Sequence, residues 1–148
     1  MTHSVDDLIK LANTGRSSHM IELGHNYLKG YDYEGNEFPQ DFVEAKKWLE
    51  KAHEKGATTA SLLLGTMYEN GAGMPPDINK AVELYEAAAQ RGGYLPHLYL
   101  ARIYSKGDGV ERSPEMAVKW YKSVLDFEAS EVNTEHLEEA NAFIRGLN

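Results

Sequence analysis

The sequence has no cysteine. This absence excludes a disulfide framework, a thiol nucleophile and a zinc site built from thiolates. Basic residues are also scarce, because 15 Lys and Arg stand against 23 Asp and Glu, for a formal net charge of −8. A nucleic-acid backbone or an anionic membrane surface requires a basic face. The composition therefore predicts neither of these as a partner, and it favours a protein or peptide that has a basic surface.

Long hydrophobic runs are missing as well. Leu62, Leu63 and Leu64 form a short apolar run, and no segment reaches the length that spans a bilayer. The acidic first residues, which include Asp6 and Asp7, do not form a secretory signal. The expected location is the cytoplasm, and a signal removed before the first residue remains an open alternative.

What the sequence does contain is a repeated set of leucine, glycine or alanine, and tyrosine. The three copies are Leu23, Gly24, Tyr27 and Gly30, then Leu64, Gly65, Tyr68 and Gly71, then Leu100, Ala101, Tyr104 and Gly107. The tyrosines are spaced by 41 and 36 residues, so the first copy carries five extra residues. A period in this range indicates stacked supersecondary units that bury their apolar faces against one another.

Each unit reads as two helices joined by a glycine-rich turn. In the second helix of repeat two, Ala81, Leu84, Tyr85 and Ala88 form one apolar stripe at helical spacing. Asp41, Asp77 and Ser113 are expected N-caps. The predicted class is all-α, a short α-solenoid of three helix-turn-helix repeats with a single capping helix at each end. The expected single domain, 1–148, divides into a cap helix at 4–14, repeats at 17–56, 57–92 and 93–128, and a cap helix at 131–147.

The repeated pattern Leu-Gly-x-x-Tyr-x-x-Gly-x-Gly, followed by Ala-x-x-Trp/Leu-Tyr, resembles the Sel-one-like repeat (SLR) family, a relative of the tetratricopeptide repeats. The residues that match in repeat two are Leu64, Gly65, Tyr68, Gly71, Gly73, Met74, Ala81, Leu84, Tyr85, Ala88, Ala89 and Gly92. The resemblance implies a right-handed α-superhelix that acts as an adaptor or protein-binding module. It also implies that the first helices line a concave face, with the repeated leucines and tyrosines in the core.

Two sets of residues are candidates for partner contact. On the concave face that the resemblance implies, the outward positions are His25, Leu28, Thr66, Glu69, Arg102 and Ser105, and the alternative is a solvated wall without a ligand. In the expanded loop from Gly30 to Gln40, three aromatic residues (Tyr31, Tyr33 and Phe38) alternate with acidic ones. Aromatic residues are enriched at interface hot spots. The alternative is that these aromatics fold back on Trp48 and Phe42.

Acidic residues are concentrated near the end of the chain, at Asp126, Glu128, Glu131, Glu135, Glu138 and Glu139, with no Lys or Arg among them. They predict either a dock for a basic protein or a solvated cap.

The sequence gives little support for catalysis or for metal binding. His19, Glu22 and His25 form a partial helical face without a fourth metal ligand. The expanded loop lacks the bidentate glutamate of a calcium loop. We therefore expect no catalytic residue, no metal and no cofactor. The predicted function is a non-catalytic protein-protein interaction module. The alternatives are a dedicated inhibitor, such as an immunity protein that neutralises a toxin, and thirdly a metal-dependent or other enzyme.

Overall fold

A computed structural model describes residues 3–146. Within this range the chain forms eight α-helices and no strand, apart from an isolated β-bridge between Tyr31 and Glu37. The helices are α1 (Val5–Ala12), α2 (Ser17–Lys29), α3 (Phe42–Glu54), α4 (Thr58–Asn70), α5 (Ile78–Ala89), α6 (Leu95–Lys106), α7 (Pro114–Leu125) and α8 (Thr134–Ile144). The all-α prediction is confirmed. The expected end of the last cap helix at residue 147 lies outside the described residues.

The second helix of each repeat begins at the predicted cap. The Asp41 side chain accepts hydrogen bonds from the backbone N–H groups of Val43 and Glu44, and Asp77 accepts one from Lys80. Ser113 accepts from the Met116 N–H and is followed by a proline at the first helical position. These side chains satisfy donors that have no partner within the helix, so local sequence alone sets the three starts.

The first helix of each repeat ends at a glycine in the left-handed conformation. Gly30, Gly71 and Gly107 have φ values of 80°, 72° and 74°. At Gly71 a Cβ would lie 2.8 Å from the Met74 carbonyl oxygen, so the turn requires glycine for space as well as for conformation. The last repeat lacks a glycine after its second helix, and α7 ends instead with Asp126 in a right-handed conformation.

Between Pro76 and Asp77 the chain divides into two compact units. The first unit contains α1–α4 and the second contains α5–α8. The expected single domain over residues 1–148 stays a prediction. No helix within the described residues combines the length and the apolarity needed to cross a membrane.

In the first unit, each helix packs against the next one along the chain. Leu23 and Leu49 are fully buried and Leu64 nearly so. The approach of α2 to α3 depends on Gly24, because a Cβ at this position would lie 2.5 Å from Cγ of Leu49. The glycine of the repeat pattern is therefore a packing residue on a helix.

One hydrophobic cluster of the second unit lies around α6, α7 and α8. Its buried members are Leu98, Ala101, Tyr121, Val124, Val132 and Ala140. The apolar face of the last helix packs here through Leu137, Phe143 and Ile144. The capping helix thus completes a hydrophobic core and does not merely cover its edge.

The repeated tyrosines differ in burial, which corrects the expectation that all of them lie in the core. Tyr27 is buried, whereas Tyr68 and Tyr104 are half-buried. Tyr27 lies beneath Phe38 of the expanded loop, with ring centroids 5.0 Å apart. Tyr68 has no such cover, and the ammonium group of Lys46 lies 5.6 Å from its ring centroid. The loop insertion therefore decides how deeply the first tyrosine is buried.

A half-buried histidine, His97, is expected to make the stability of the second unit depend on pH. His97 packs edge-on against Trp120 and Phe127, with centroids 5.4 and 5.5 Å away. Burial lowers its pKa from the ordinary 6.5, against the opposing effects of the Ala89 carbonyl and of Asp126. The unfolded chain therefore binds this proton at a higher pH than the folded chain does.

We expect the free energy of unfolding to fall as the pH drops from 7 to about 5.5, since the unfolded form then gains the proton first. Urea titrations at each pH, on the original protein and on His97→Gln, measure this effect. The variant should show a smaller loss across the same window. Identical pH slopes for the two proteins would contradict the assignment to His97.

Candidate functional site

The expanded loop of repeat one is held in a defined conformation. The Asp32 carboxylate accepts hydrogen bonds from the N–H groups of Glu34 and Asn36 and from the Asn36 side-chain amide, at 2.8–3.2 Å. The Asn36 amide is the main cause that holds the pKa of Asp32 below its ordinary value. At the base of the loop, the Phe38 N–H donates to the Gly30 carbonyl over 3.0 Å. These hydrogen bonds hold the backbone that carries the aromatic residues of the loop in one conformation.

Two of the three loop aromatics face solvent and the third does not. Tyr31 is 47% exposed and Tyr33 is 63% exposed, whereas Phe38 is 8% exposed. Phe38 was expected among the partner-contacting residues. It packs instead against Tyr27, because an apolar ring at the base of the loop can be buried only where the repeat tyrosine offers a surface. The fold-back alternative therefore describes Phe38, which packs on Tyr27, and the partner-contact alternative is compatible with Tyr31 and Tyr33.

The exposed tyrosines lie beside His25 of α2, a residue predicted to belong to the concave face. The His25 ring stacks on Tyr33 with centroids 4.1 Å apart and an interplanar angle of 13°. Its edge meets Tyr31 at 6.3 Å and 81°. A 3.1 Å hydrogen bond joins Nδ1 of His25 to the side-chain oxygen of the buried Asn26. We call these three rings (Tyr31, His25 and Tyr33) the aromatic triplet.

Acidic residues lie close to the aromatic triplet in the sequence. Asp32, Glu34 and Glu37 belong to the loop, and Glu22 lies one helical turn before His25. Although much of the Tyr33 ring is exposed, partial burial at its hydroxyl raises the pKa of this group, and the negative charge of Glu22 adds to the shift. The loop and the adjoining turn of α2 therefore combine exposed aromatic rings with acidic side chains.

The remaining first-unit candidates lie on α2 and α4. Leu28 and Thr66 line a small cavity of about 160 Å³ together with Gln40 and Phe42. The Thr66 hydroxyl donates to the Leu63 carbonyl of its own helix. Glu69 is half-buried in the last turn of α4. Lys29 and Asn70 also line this cavity, so polar side chains make up half of its lining, and Glu69 is not part of it.

In the second unit, Arg102 is held by the last helix. Its guanidinium donates two hydrogen bonds to the Glu139 carboxylate, at 2.9 and 2.7 Å, and the Tyr121 hydroxyl donates a third at 2.8 Å. The hydrogen bonds from Arg102 hold the pKa of Glu139 below its ordinary value. Ser105, the other candidate on α6, donates its hydroxyl to the Arg102 carbonyl.

This ion pair also changes the interpretation of the acidic end of the chain. Glu139 points into the fold and is neutralised by Arg102. The Glu131 side chain accepts from the Glu128 N–H, whereas Glu135 and Glu138 are exposed. One acidic residue of this segment, Glu139, is therefore part of an internal ion pair, whereas Glu135 and Glu138 are exposed to solvent.

Arg102 and Ser105 line a larger cavity of about 410 Å³, which was not predicted from the sequence. Its other lining residues are Lys106, Arg112, Tyr121, Glu139 and Phe143. One available signal was the spacing of Arg102 and Lys106, which puts both cations on one face of α6. The contributions of α7 and α8 come from residues far along the chain, and no pattern in the sequence indicates them.

In the part of the chain that the structure describes, no group of three or more His, Asp or Glu residues is placed to hold a metal ion. Of the nine predicted contact residues, the structure brings Tyr31, Tyr33 and His25 together, Leu28 with Thr66, and Arg102 with Ser105. The first two groups belong to the first unit and the last belongs to the second unit.

Comparison with known proteins agrees with the repeat pattern. The model of the Sel1 repeat matches residues 20–56, 59–93 and 97–123. No match was found among the curated proteins.

Two solved structures are similar to this chain. The first is c5321, a protective antigen present in uropathogenic Escherichia coli strains that displays an SLR fold, with a TM-score of 0.73 and 32% identity. That match covers 84% of this chain but only 26% of the antigen. The second is a Sel1 repeat protein from Oxalobacter formigenes, with a TM-score of 0.69 and 33% identity over 93% of this chain and 96% of that one.

Sel1 repeats are generally protein-protein interaction modules. The three matches to the Sel1 repeat together cover more than half of the residues. The structural similarity to the Oxalobacter formigenes protein extends over 93% of this chain. The chain belongs to the Sel1-repeat family.

Proposed function

We propose that this protein is a non-catalytic interaction module that binds a basic segment of a protein partner through the aromatic triplet of its first unit. The observation that carries the proposal is the packing of two exposed tyrosines, Tyr31 and Tyr33, against His25 of α2, in a loop whose backbone is held by hydrogen bonds and which is rich in acidic residues. Tyr31 and Tyr33 are, with Val43, the exposed large hydrophobic residues of the described chain.

A basic partner segment fits this surface in two ways. Lysine and arginine cations bind favourably over tyrosine rings, with a gain of about 0.5–2 kcal/mol depending on desolvation. Glu22, Asp32 and Glu37 supply a negative potential that steers a basic segment to the rings. Aromatic residues that are already ordered lose little conformational entropy on binding, and the hydrogen bonds of Asp32 keep the loop in place before a partner arrives.

The test compares three tagged proteins in a capture experiment from the native cells, read by mass spectrometry. They are the original chain, Tyr31→Ala/Tyr33→Ala, and the control Val43→Ala, which removes an even more exposed apolar side chain from the same unit. We expect one partner to be retained by the original chain and the control and lost from the double variant. On the purified pair, the double variant should bind at least about tenfold more weakly, since interface aromatics contribute about 2 kcal/mol or more.

The outcomes separate the alternatives. Equal retention by all three proteins would overturn the role of the aromatic triplet. A partner that is an enzyme or toxin, and that loses its activity when bound, would select the inhibitor over the adaptor. Binding that does not weaken with rising salt would contradict the basic character of the partner segment.

A further inference from the structure

The cavity of about 410 Å³ in the second unit carries positive charge in a protein whose net charge is −8. Three cationic side chains line it, those of Arg102, Lys106 and Arg112, and the only acidic one is that of Glu139. We call it the basic pocket. Its charge is opposite to that of the aromatic triplet and its border, and it lies in a different unit of the chain.

The path of the backbone places the cations of the basic pocket near one another. Arg102 and Lys106 are separated by one helical turn of α6 and share a face. Gly107 then ends the helix with φ 74°, and a Cβ there would lie 2.6 Å from Cβ of Arg112. The chain returns to α6 through a 3.0 Å hydrogen bond from the Ser113 N–H to the Tyr104 carbonyl. Arg112 is thus packed against the residue that follows Lys106.

The one acidic side chain of the pocket is already engaged. Both oxygens of Glu139 accept from Arg102, and one of them also accepts from the Tyr121 hydroxyl. Among the described residues, no hydrogen bond or ion pair is seen to the side chains of Lys106 and Arg112, and both side chains are exposed. Within the described part of the chain, these two exposed cations have no paired carboxylate, and neighbouring like charges repel one another.

The other side of the basic pocket is aromatic. The rings of Tyr121 and Phe143 lie 4.9 Å apart at an angle of 36°, and both line the cavity. The cavity volume falls in the usual range for small-ligand sites, which are largely apolar with a few placed polar groups. An apolar wall and the Glu139 carboxylate are poor surroundings for a multiply charged, fully hydrated anion.

We propose that the basic pocket binds a carboxylate that carries an adjoining apolar group, with Lys106 and Arg112 holding the carboxylate and Phe143 contacting the apolar group. Arginine pairs with a carboxylate through two parallel hydrogen bonds. The same chemistry is found in a free aromatic acid and in a peptide with neighbouring Phe and Glu residues. This proposal does not depend on the aromatic triplet.

The experiment uses the full chain and five probes, followed by NMR chemical shifts and by calorimetry. The probes are 3-phenylpropionate, its neutral amide, inorganic phosphate, a capped peptide containing Phe-Glu, and the same peptide with Phe-Gln. We expect at least one carboxylate probe to shift the resonances of Lys106, Arg112 and Phe143, while its uncharged counterpart does not. Binding by the free acid alone assigns the site to small acids, and binding by the Phe-Glu peptide alone assigns it to a partner segment.

Matched variants locate the site. Lys106→Gln and Arg112→Gln should each weaken binding about tenfold, the effect of losing one charge-assisted hydrogen bond. Arg91→Gln is the control, since Arg91 is an exposed cation of the same unit outside the pocket. Tyr31→Ala/Tyr33→Ala should bind the probe normally.

The proposal is overturned if neither carboxylate probe binds, or if amide and acid bind alike. It is equally overturned if the two pocket variants behave like Arg91→Gln. Phosphate that binds more tightly than the acid and leaves Phe143 unshifted would replace the proposed ligand class with a simple anion.

Discussion

Replacing Tyr85 by alanine is expected to lower the free energy of unfolding by about 3–5 kcal/mol. Tyr85 lies on α5 and has no exposed surface. Its ring meets Tyr99 of α6 edge-on, with centroids 5.3 Å apart. The truncation removes this contact and leaves a cavity that a close-packed interior cannot fill completely. Chemical denaturation of the purified variant measures the loss.

The matched control for Tyr85→Ala is Tyr104→Ala in the same unit. Tyr104 belongs to the repeat pattern, yet it is only half-buried, so its truncation should cost about 1–2 kcal/mol. The pattern by itself predicts large losses at Tyr68 and Tyr104, whereas the structure moves the largest loss to the second helix of repeat two. Equal losses for Tyr85→Ala and Tyr104→Ala would contradict the burial seen here.

Replacing Gly24 by valine is expected to destabilise the first unit by about 1–3 kcal/mol, through overpacking between α2 and α3. The new Cβ would lie 2.5 Å from Cγ and 2.7 Å from Cδ2 of Leu49, and 3.3 Å from the Ala45 carbonyl oxygen. The helices must separate or Leu49 must leave its rotamer, and both responses cost free energy. Denaturation curves again measure the effect.

A double-mutant cycle identifies the cause of the loss at Gly24. Leu49→Ala is itself destabilising, but it removes the two Leu49 atoms that the new side chain meets. Gly24→Val should therefore cost clearly less in the Leu49→Ala background than in the original protein. If the two losses simply add, the close approach of α2 and α3 is not the reason that position 24 is glycine.

The repeat-one loop illustrates how far the sequence leads toward a site. The unequal tyrosine spacing locates the insertion, and its composition identifies three aromatics. Which of them faces inward depends on the neighbouring surface, because Phe38 packs on Tyr27 while Tyr31 and Tyr33 group with His25. Alternation along an irregular loop has no fixed period, so no rule of spacing could assign the faces in advance.

Arg102 shows a contact that the sequence could not predict. Its position in the repeat indicates an outward side chain, and the structure pairs it with Glu139, 37 residues further along the chain. That partner lies in the acidic segment that the sequence presents as uniformly charged. Lys106 and Arg112 form a pocket with Phe143 for the same reason, since contacts between distant segments bring them together.

The sequence by itself determined the repeat family, the helices and their ends, because periodic apolar positions, capping side chains and left-handed glycines act within a few residues of chain. It also determined where the insertion lies. The tertiary structure alone decided which aromatic residues of the loop remain exposed, and which cation of the basic pocket pairs with a carboxylate. Burial and charge pairing are set by side chains that come from distant segments, and their free energies depend on distances that exist only after the chain has packed.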